Sequence, residues 1–359
     1  MEIGIIGLPK SGKTTLFNTL TRGKAEIGAY ATEVPNVGVA KVPDPRIDGL
    51  DGIFHAKKKV PAEVKYVDVA AHTKGELSGV FLTHLSQTDG LLHVVRAFED
   101  DNVPHIEGSI DADRDVKLLD LELTFSDLSI IENRLKKIDN LLKRAKANER
   151  DAFSKEQALL ARIQTTLEGD VPIREQELTE DERKAISGYQ FLSAKPLLIA
   201  FNVGEERLPQ AISLEEEWRK KYRRPHVDVA VLCGKLEMEL VQLDEADARE
   251  FRSTMGMAET ALNRIIGLCY DLLGFISFFT VGSDEVRAWT ILRNTTAVQA
   301  AGKVHTDIER GFIRAEVIAY KDLMKCGSLA EGRKSALLHT EGKSYIVNDG
   351  DVITFLFNV

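Results

Sequence analysis

The stretch Gly7-Leu8-Pro9-Lys10-Ser11-Gly12-Lys13-Thr14 decides the fold of this chain. It matches the pattern G-x-x-x-x-G-K-[ST], which cradles phosphates when it joins a strand to a helix. The apolar residues 3–6 before it predict a buried strand, and Thr15-Leu16-Phe17-Asn18 after it favours a helix. The alternative is a plain glycine-rich turn, but strand, loop and helix together indicate a nucleoside triphosphate site.

Each position of this motif has a chemical purpose. Gly7 and Gly12 let the backbone curl so that successive N–H groups face an anion, and the following helix adds its positive end. Lys13 is expected to reach the β and γ phosphates, and the Thr14 hydroxyl to bind Mg²⁺. The predicted nucleotide-binding residues of this loop are Lys10, Ser11, Gly12, Lys13, Thr14 and Thr15.

Two further residues are candidates for the magnesium site. The segment Val64-Lys65-Tyr66-Val67-Asp68 predicts a strand that ends in an acid, and Asp68 is expected to hold Mg²⁺ through water. Thr32 lies in the intervening segment, where a threonine can bind the metal only when the γ-phosphate is present. The plainer alternatives are a surface aspartate at a strand end and a turn or helix-capping threonine.

Composition limits the other functions that this chain can have. It has 359 residues, a formal net charge of −9 and 43% hydrophobic residues, which is typical of a globular protein of two or three domains. This charge argues against a protein that coats nucleic acid, and no DNA partner is expected. Three widely spaced cysteines predict no disulfide framework. Without a signal peptide or a long apolar run, we expect a cytoplasmic protein with no membrane partner.

The middle of the chain predicts helices. Apolar residues recur at steps of three and four, which is coiled-coil spacing: Leu121, Phe125, Leu128, Ile131, Leu135, Ile138 and Leu142. Leu160, Ile163 and Leu167 continue the pattern on a returning helix, and Thr179 with Glu182 predicts a capping box. Basic residues near the tip, Lys143 and Arg144 among them, suggest a contact for RNA phosphates, although such runs are commonly a solvated helix face.

The end of the chain predicts a small β-rich module. Short strands are expected at residues 278–280, 286–291, 314–318, 344–347 and 352–355. The sequence Asp349-Gly350-Asp351 predicts a tight turn before the last of them. No catalytic constellation accompanies these strands, so a partner-binding role is favoured.

These motifs together resemble the YchF/Obg-like ATPase family of P-loop proteins. The most specific matches are Glu33-Val34-Pro35-Asn36-Val37-Gly38-Val39 with Val42-Pro43-Asp44, His93-Val94-Val95-Arg96-Ala97-Phe98, Asn202-Val203-Gly204-Glu205 and Asp349-Gly350-Asp351-Val352. The resemblance implies an α/β P-loop G-domain with an inserted helical coiled-coil hairpin and a C-terminal ubiquitin-like β-grasp (TGS) domain. The implied ranges are 1–115 with 194–275, 116–193, and 276–359.

The base-recognition motif separates ATP from GTP. Guanine-specific proteins use Asn-Lys-x-Asp, whereas this chain has Val203 and Glu205 at the lysine and aspartate positions. The family with this pattern prefers ATP, so the resemblance places Asn202, Val203 and Glu205 around adenine, with GTP bound more weakly. Unpaired polar groups are costly enough to separate two bases in this way.

Three positions depart from the family pattern. Lys10 replaces an asparagine that helps to hold K⁺ in related proteins, so its ammonium could substitute for that ion; otherwise it points to solvent. Ala71 replaces the glycine that normally faces the γ-phosphate. His72 follows it and is a tentative catalytic residue that would orient the attacking water, or a loop histidine without a role.

Two functional hypotheses follow from these motifs. The first is a slow, Mg²⁺-dependent ATPase whose cycle switches its affinity for a ribosome or ribosomal RNA partner, with Lys13 and Thr32 in catalytic roles. The second is a nucleotide-binding regulatory module with little or no hydrolysis. A GTPase is a weaker alternative because the guanine-specific motif is absent.

Overall fold

A computed structural model describes residues 1–23, 25, 35–68, 79–254 and 260–358. The described chain divides into two compact units. The first contains Met1–Val39 and Lys65–Ile265, and the second contains Ala40–Val64 and Ile266–Val359. Among the described residues, none of the helices combines the length and apolar character of a membrane span.

The first unit is built on a sheet of largely buried strands. The strands, in chain order, are β1 (Glu2–Ile6), β2 (Asn36–Lys41), β4 (Glu63–Asp68), β5 (Gly90–Ala97), β6 (Leu197–Val203) and β7 (Val227–Leu232), and β3 belongs to the second unit. Their order in the sheet is β2-β4-β1-β5-β6-β7. The pairs β1–β4, β1–β5, β5–β6 and β6–β7 are all parallel. Parallel strands end at one edge of a sheet, so this topology gathers the loops that follow β1, β4, β6 and β7.

Helices connect these strands. They are α1 (Lys13–Thr21), α3 (Gly79–Ser86), α4 (Ala112–Leu142), α5 (Ala147–Glu168), α6 (Glu180–Ile186), α7 (Ala211–Tyr222), α8 (Gly234–Gln242), α9 (Glu245–Thr254) and α10 (Ala261–Leu272), and α2 belongs to the second unit. Short 3₁₀ helices cover Ile173–Glu175, Ser187–Tyr189 and Glu205–Gln210. This alternation of parallel strands and helices confirms the predicted α/β class.

Helix α4 serves two hydrophobic cores. Near its start, Val116, Leu119 and Leu123 are buried in the core of the sheet. Further along, Ile131 and Ile138 pack with α5 and the segment after it. The predicted coiled-coil seam is therefore wrong at its beginning, where Leu121 and Phe125 are 37% and 63% exposed. The helix turns a different face inward because its first half packs against the sheet, whereas its second half packs against α5.

The returning segment is anchored by polar contacts. The predicted capping box of α6 is confirmed, since Thr179 N donates to Glu182 and Glu182 N donates to the Thr179 hydroxyl. The buried Asp127 carboxylate on α4 accepts from Leu192 N at 2.9 Å and from Ser193 N at 2.7 Å. These bonds fix the chain just before it enters β6.

The second unit is a mixed sheet with helices. Its strands are β3 (Lys58–Val60), β8 (Phe275–Val281), β9 (Glu285–Leu292), β10 (Phe312–Ala319), β11 (His339–Glu341) and β12 (Asp351–Phe357), in the order β11-β10-β12-β8-β9-β3. Its helices are α2 (Arg46–Phe54), α11 (Ala297–Val304), α12 (Thr306–Arg310), α13 (Tyr320–Cys326) and α14 (Leu329–Lys334). Aromatic and aliphatic side chains of β8, β9, β10 and β12 enclose the alanine-rich face of α11 in one core.

Two features of this unit differ from the sequence-based expectations. The strand predicted at residues 344–347 is wrong, because only Ile346 forms a bridge, to Thr296. The Asp351 carboxylate there accepts from Tyr345 Oη and Asn348 N, which holds the segment as a turn. In addition, residues 40–64, which the sequence analysis placed in the nucleotide-binding domain, are grouped with the C-terminal strands.

Candidate nucleotide-binding site

The loop between β1 and α1 has a backbone that only glycine permits at two positions. Gly7 has φ +147° and Gly12 has φ +98°. A Cβ atom on Gly7 would lie 2.4 Å from the carbonyl oxygen of Val94, and one on Gly12 would lie 2.4 Å from Nδ2 of Asn202. Both glycines are therefore required by conformation and by space, as expected for a loop that curls its amides toward an anion.

Lys13 lies across this loop rather than in solvent. Its ammonium donates to the carbonyl oxygens of Gly7 at 3.0 Å and Leu8 at 2.9 Å. Burial lowers the pKa of Lys13 to about 8, against the opposing charge of Asp68. The two carbonyl acceptors carry only partial negative charge, whereas a phosphate oxygen carries a full negative charge and would attract the buried ammonium more strongly.

Thr14 and Asp68 are brought together as the sequence predicts. The Thr14 hydroxyl donates to Oδ2 of Asp68 at 2.9 Å, and Asp68 is almost completely buried. Burial raises the pKa of Asp68, although the Thr14 hydrogen bond, the Lys13 charge and a hydrogen bond from the Asn36 side chain oppose this effect. Oδ1 of Asp68 and the buried Ser11 hydroxyl have no hydrogen-bond partner among the described residues.

These oxygens fit a magnesium ion that the protein holds only in part. Mg²⁺ prefers oxygen ligands, and it commonly keeps waters and substrate phosphates in its coordination shell. No group of three or more His, Cys, Asp or Glu side chains suited to a metal occurs in the described part of the chain. A metal at Thr14 and Asp68 would therefore need oxygens from the nucleotide and from water.

Asn202 ties the phosphate loop to the opposite side of the site. Its Nδ2 donates to the carbonyl oxygen of Ser11 at 3.0 Å, and its Oδ1 accepts from Gly234 N at 2.9 Å. Because Asn202 is 6% exposed and both ends of its amide are engaged, it holds the phosphate loop beside the start of α8. The family resemblance predicts that Asn202 and Val203 line the adenine site. Val203 is 1% exposed, so its side chain belongs to the core.

Glu205 is the exposed polar member of this motif. It begins a 3₁₀ helix after β6, and its Oε1 lies 2.8 Å from the ammonium of Lys235, at the start of α8. Sequence reasoning missed the contacts of Gly234 with Asn202 and of Lys235 with Glu205. The signal was present, however, because both follow the carboxyl end of β7, which neighbours β6 in the parallel sheet.

Cys233 precedes these residues but lacks the features of a reactive thiol. It is 2% exposed, and burial raises its pKa. A thiol reacts as its thiolate, so both properties disfavour oxidation.

The remaining predicted residues fall into two groups. Lys10 is exposed, with a left-handed φ of 64°, and Thr15 lies partly buried in the first turn of α1. Thr32, Ala71 and His72 lie outside the described residues.

Comparisons with known proteins agree with this geometry. A family model described as "50S ribosome-binding GTPase" matches residues 2–150, and a model named "YchF-GTPase_C" matches residues 275–358. The chain is 38% identical to the ribosome-binding ATPase YchF of Bacillus subtilis, with all of both chains covered. It is 40% identical to the protein of the same name from Pasteurella multocida, covering 100% of this chain and 99% of the relative. The chain belongs to the YchF family.

A solved YchF structure supports the same membership. The structure of the Schizosaccharomyces pombe YchF GTPase matches with a TM-score of 0.88 and 30% identity, covering 99% of this chain and 97% of that one. The fold class predicted for a YchF-family protein is therefore confirmed at the level of the G-domain and the C-terminal domain. Some relatives are named ATPases and one is named a GTPase. The names therefore do not decide between ATP and GTP, and the residues of the base site have to be considered.

Proposed function

We propose that this protein is a Mg²⁺-dependent ATPase that acts as a nucleotide-dependent switch on the ribosome in the cytoplasm. The observation that carries the proposal is the juxtaposition of Lys13, Thr14 and Asp68 at the mouth of a glycine-restricted loop. Relatives that share the whole length of the chain are named ribosome-binding ATPases, which supports both the reaction and the partner.

Each residue of the site has a role in hydrolysis. The loop amides and Lys13 would stabilise the charge that develops on the transferred phosphate. Thr14 and, through water, Asp68 would hold Mg²⁺, which neutralises phosphate charge when it is bound. Asn202 keeps the phosphate loop and the base loop at a fixed spacing through its bonds to Ser11 and Gly234. Thr32 and His72 remain candidates for sensing the γ-phosphate and orienting water.

The base site favours ATP over GTP in this proposal. A guanine-specific site presents an aspartate to the ring N–H, whereas here Glu205 is paired with Lys235 across the loops. The family model and the solved structure named as GTPases keep a GTPase open as the second candidate.

The proposed ribosome contact lies on the helical hairpin. Lys143, Arg144 and Lys146 are exposed between α4 and α5, and no salt bridge joins them to another described residue. Arg134, by contrast, is paired with Glu156 at 2.7 Å and therefore holds the two helices together. Charge reversal at Lys143 and Arg144 should reduce co-sedimentation with ribosomes; unchanged co-sedimentation would exclude this surface.

Phosphate release from ATP tests the enzymatic part of the proposal. Wild type should release phosphate in a Mg²⁺-dependent manner, and Lys13→Ala should reduce the rate about 100-fold or more, as removal of a preorganised charge commonly does. Lys184→Ala, at an exposed lysine of α6, is the matched control and should behave as wild type. Release at the Lys13→Ala level by the wild type would favour the non-hydrolysing module instead.

A further inference from the structure

The segment 40–64 is an integral part of the C-terminal unit. Strand β3 pairs in parallel with β9, with Lys58 opposite Glu285 and Val60 opposite Arg287. Leu50 on α2 is fully buried. The segment is closed at its base by a hydrogen bond from Val42 N to the carbonyl oxygen of Ala62 at 2.8 Å. It is therefore a closed excursion that completes the edge of this sheet.

One arginine fixes the excursion to the C-terminal strands. The Arg46 guanidinium donates to Asp44 through Nε at 2.8 Å and Nη2 at 2.7 Å, and to Asp349 through Nη1 at 2.7 Å. Its carbon Cζ lies 5.0 Å from the centroid of the Phe279 ring. Asp349 Oδ1 also accepts from Ser277 N at 2.9 Å. We call Asp44, Arg46 and Asp349 the arginine clamp.

The clamp joins two sequence motifs that the nucleotide site leaves unexplained. Val42-Pro43-Asp44 lies before α2, and Asp349-Gly350-Asp351 precedes β12, about three hundred residues later in the chain. Although burial raises the pKa of Asp349, the hydrogen bonds from Arg46 and Ser277 N hold it below its usual value. The packing nearby leaves little space, since a Cβ on Gly49 would lie 2.3 Å from the Tyr320 hydroxyl.

The position of the excursion in the chain gives it a second role. The chain leaves the nucleotide-binding unit after Val39 and returns to it at Lys65, in the strand that ends at Asp68. Both ends of the excursion are thus covalently continuous with β2 and β4, and β4 ends at Asp68, a proposed magnesium residue.

We propose that residues 40–64 couple the nucleotide site to the C-terminal unit, with Arg46 as the residue that fixes the coupling segment to the sheet. The proposal rests on the function proposed above, because it requires a nucleotide at the phosphate loop. Nucleotide-driven changes in β2 or β4 are transmitted to α2 and β3, and hence to the edge of the sheet. By linkage, a ligand of the C-terminal unit changes nucleotide affinity by the same factor.

Amide hydrogen exchange of the full-length protein with Mg-ATP, with Mg-ADP and without nucleotide tests this coupling. Exchange in residues 46–60 and 285–292 should differ about fivefold or more between the ATP and ADP states, the lower end of typical coupling between sites. Protection of residues 7–16 should accompany nucleotide binding in both states. Protection of 7–16 with no ATP–ADP difference in 46–60 and 285–292 would overturn the coupling and leave the proposed function intact. Loss of both responses would overturn the proposed function first.

Variants of the clamp show whether Arg46 transmits the nucleotide-dependent change or only stabilises the folded protein. Arg46→Lys keeps the charge but loses the planar fork that bonds both carboxylates, so it should abolish the ATP–ADP difference in 285–292 while 7–16 stays protected. Arg333→Ala is the matched control: Arg333 pairs with Glu316 on β10 of the same sheet and should leave the difference unchanged. If Arg46→Lys folds and keeps the wild-type difference, Arg46 is not the fixing residue. Should it fail to fold, Asp349→Asn gives the same test.

Discussion

The phosphate loop and the arginine clamp each hold a cation, Lys13 and Arg46, but they satisfy their polar groups differently. Around the loop, Ser11 Oγ and Asp68 Oδ1 lack a hydrogen-bond partner among the described residues, and Lys13 bonds only to carbonyls. In the clamp, Arg46 has carboxylate partners on both sides. Buried polar groups left unpaired are costly, so natural proteins keep them mainly where a ligand completes them. Loss of the loop residues should therefore reduce function, whereas loss of the clamp should reduce stability.

Asp68→Asn makes the strongest test of the loop side of this comparison. Hydrolysis should fall about 100-fold because the metal loses a charged partner, as expected when one electrostatic contributor is removed. Stability should stay the same or increase, since the substitution removes a buried charge. Phosphate release and urea unfolding of the same preparation measure both effects. A large loss of stability at neutral pH would mean that Asp68 is structural.

Arg46→Ala tests the clamp side. It leaves Asp44 and Asp349 without their shared cation, and breaking a partly buried pair should lower the free energy of unfolding by about 2–4 kcal/mol. Trp218→Phe provides the background, because Trp289 is then the remaining tryptophan and lies in the C-terminal unit. Urea unfolding followed by its fluorescence gives the measurement. Arg333→Ala should cost less than about 1 kcal/mol, as expected for an exposed pair; equal losses in the two variants would remove the distinction.

Asn202→Ala tests a residue that shares a feature with each region. Both ends of the Asn202 amide are hydrogen-bonded, as in the clamp, but the residue lies beside the phosphate loop. The substitution should weaken ATP binding about tenfold, since the Ser11 carbonyl and Gly234 N–H lose partners worth about 1–2 kcal/mol. Fluorescent ATP-analogue titration measures the change. Asn202→Asp keeps the acceptor for Gly234 N and should lie between Ala and wild type. ATP affinity unchanged in both variants would show that the two loops keep their spacing without this bridge.

Asp127 gives a smaller, pH-dependent effect. Burial raises its pKa to about 6, despite hydrogen bonds from Ser193 and Leu192. A carboxyl with a raised pKa binds more protons in the folded state, so stability should fall as pH rises from about 4 to about 6 and then level off. The change attributable to Asp127 should be about 1–3 kcal/mol, and Asp127→Asn should lack it. Thermal unfolding of both proteins at pH 5 and pH 7 checks this; parallel pH profiles would contradict it.

The nucleotide loop and the parallel strands could be predicted from sequence because their signals are local. Gly7, Gly12 and Lys13 lie within one short motif, and the strand before it contains a continuous apolar run, Ile5-Ile6 with Ile3 and Gly4. The pairing of Lys58 with Glu285 has no such signal. It depends on contacts between distant parts of the chain. In addition, the edge strand β3 has only three residues, which is too short to show the alternation of apolar and polar residues that predicts a strand.

The exposure of Leu121 and Phe125 near the start of α4 has a similar cause. The spacing of Leu121 and Phe125 fits a coiled coil, but the first half of α4 packs against the core of the sheet with another face. Periodicity alone does not say which core a helix faces. The contact of Asn202 with the base stays a prediction, because it comes from the resemblance of its motif. Its two loop contacts become visible only when Ser11 and Gly234 are placed beside it.

Calorimetric titration of the purified, folded chain with Mg-ATP and Mg-GTP tests the central claim most directly. The account predicts that Mg-ATP binds, that Mg-GTP binds more weakly, and that Lys13→Ala loses most of the heat with both. Chelation of Mg²⁺ should weaken ATP binding because Thr14 and Asp68 then lose the ion that they are arranged to share. Tighter binding of GTP would contradict the reading of the base site. No binding of either nucleotide by folded protein would contradict the assignment of the loop itself.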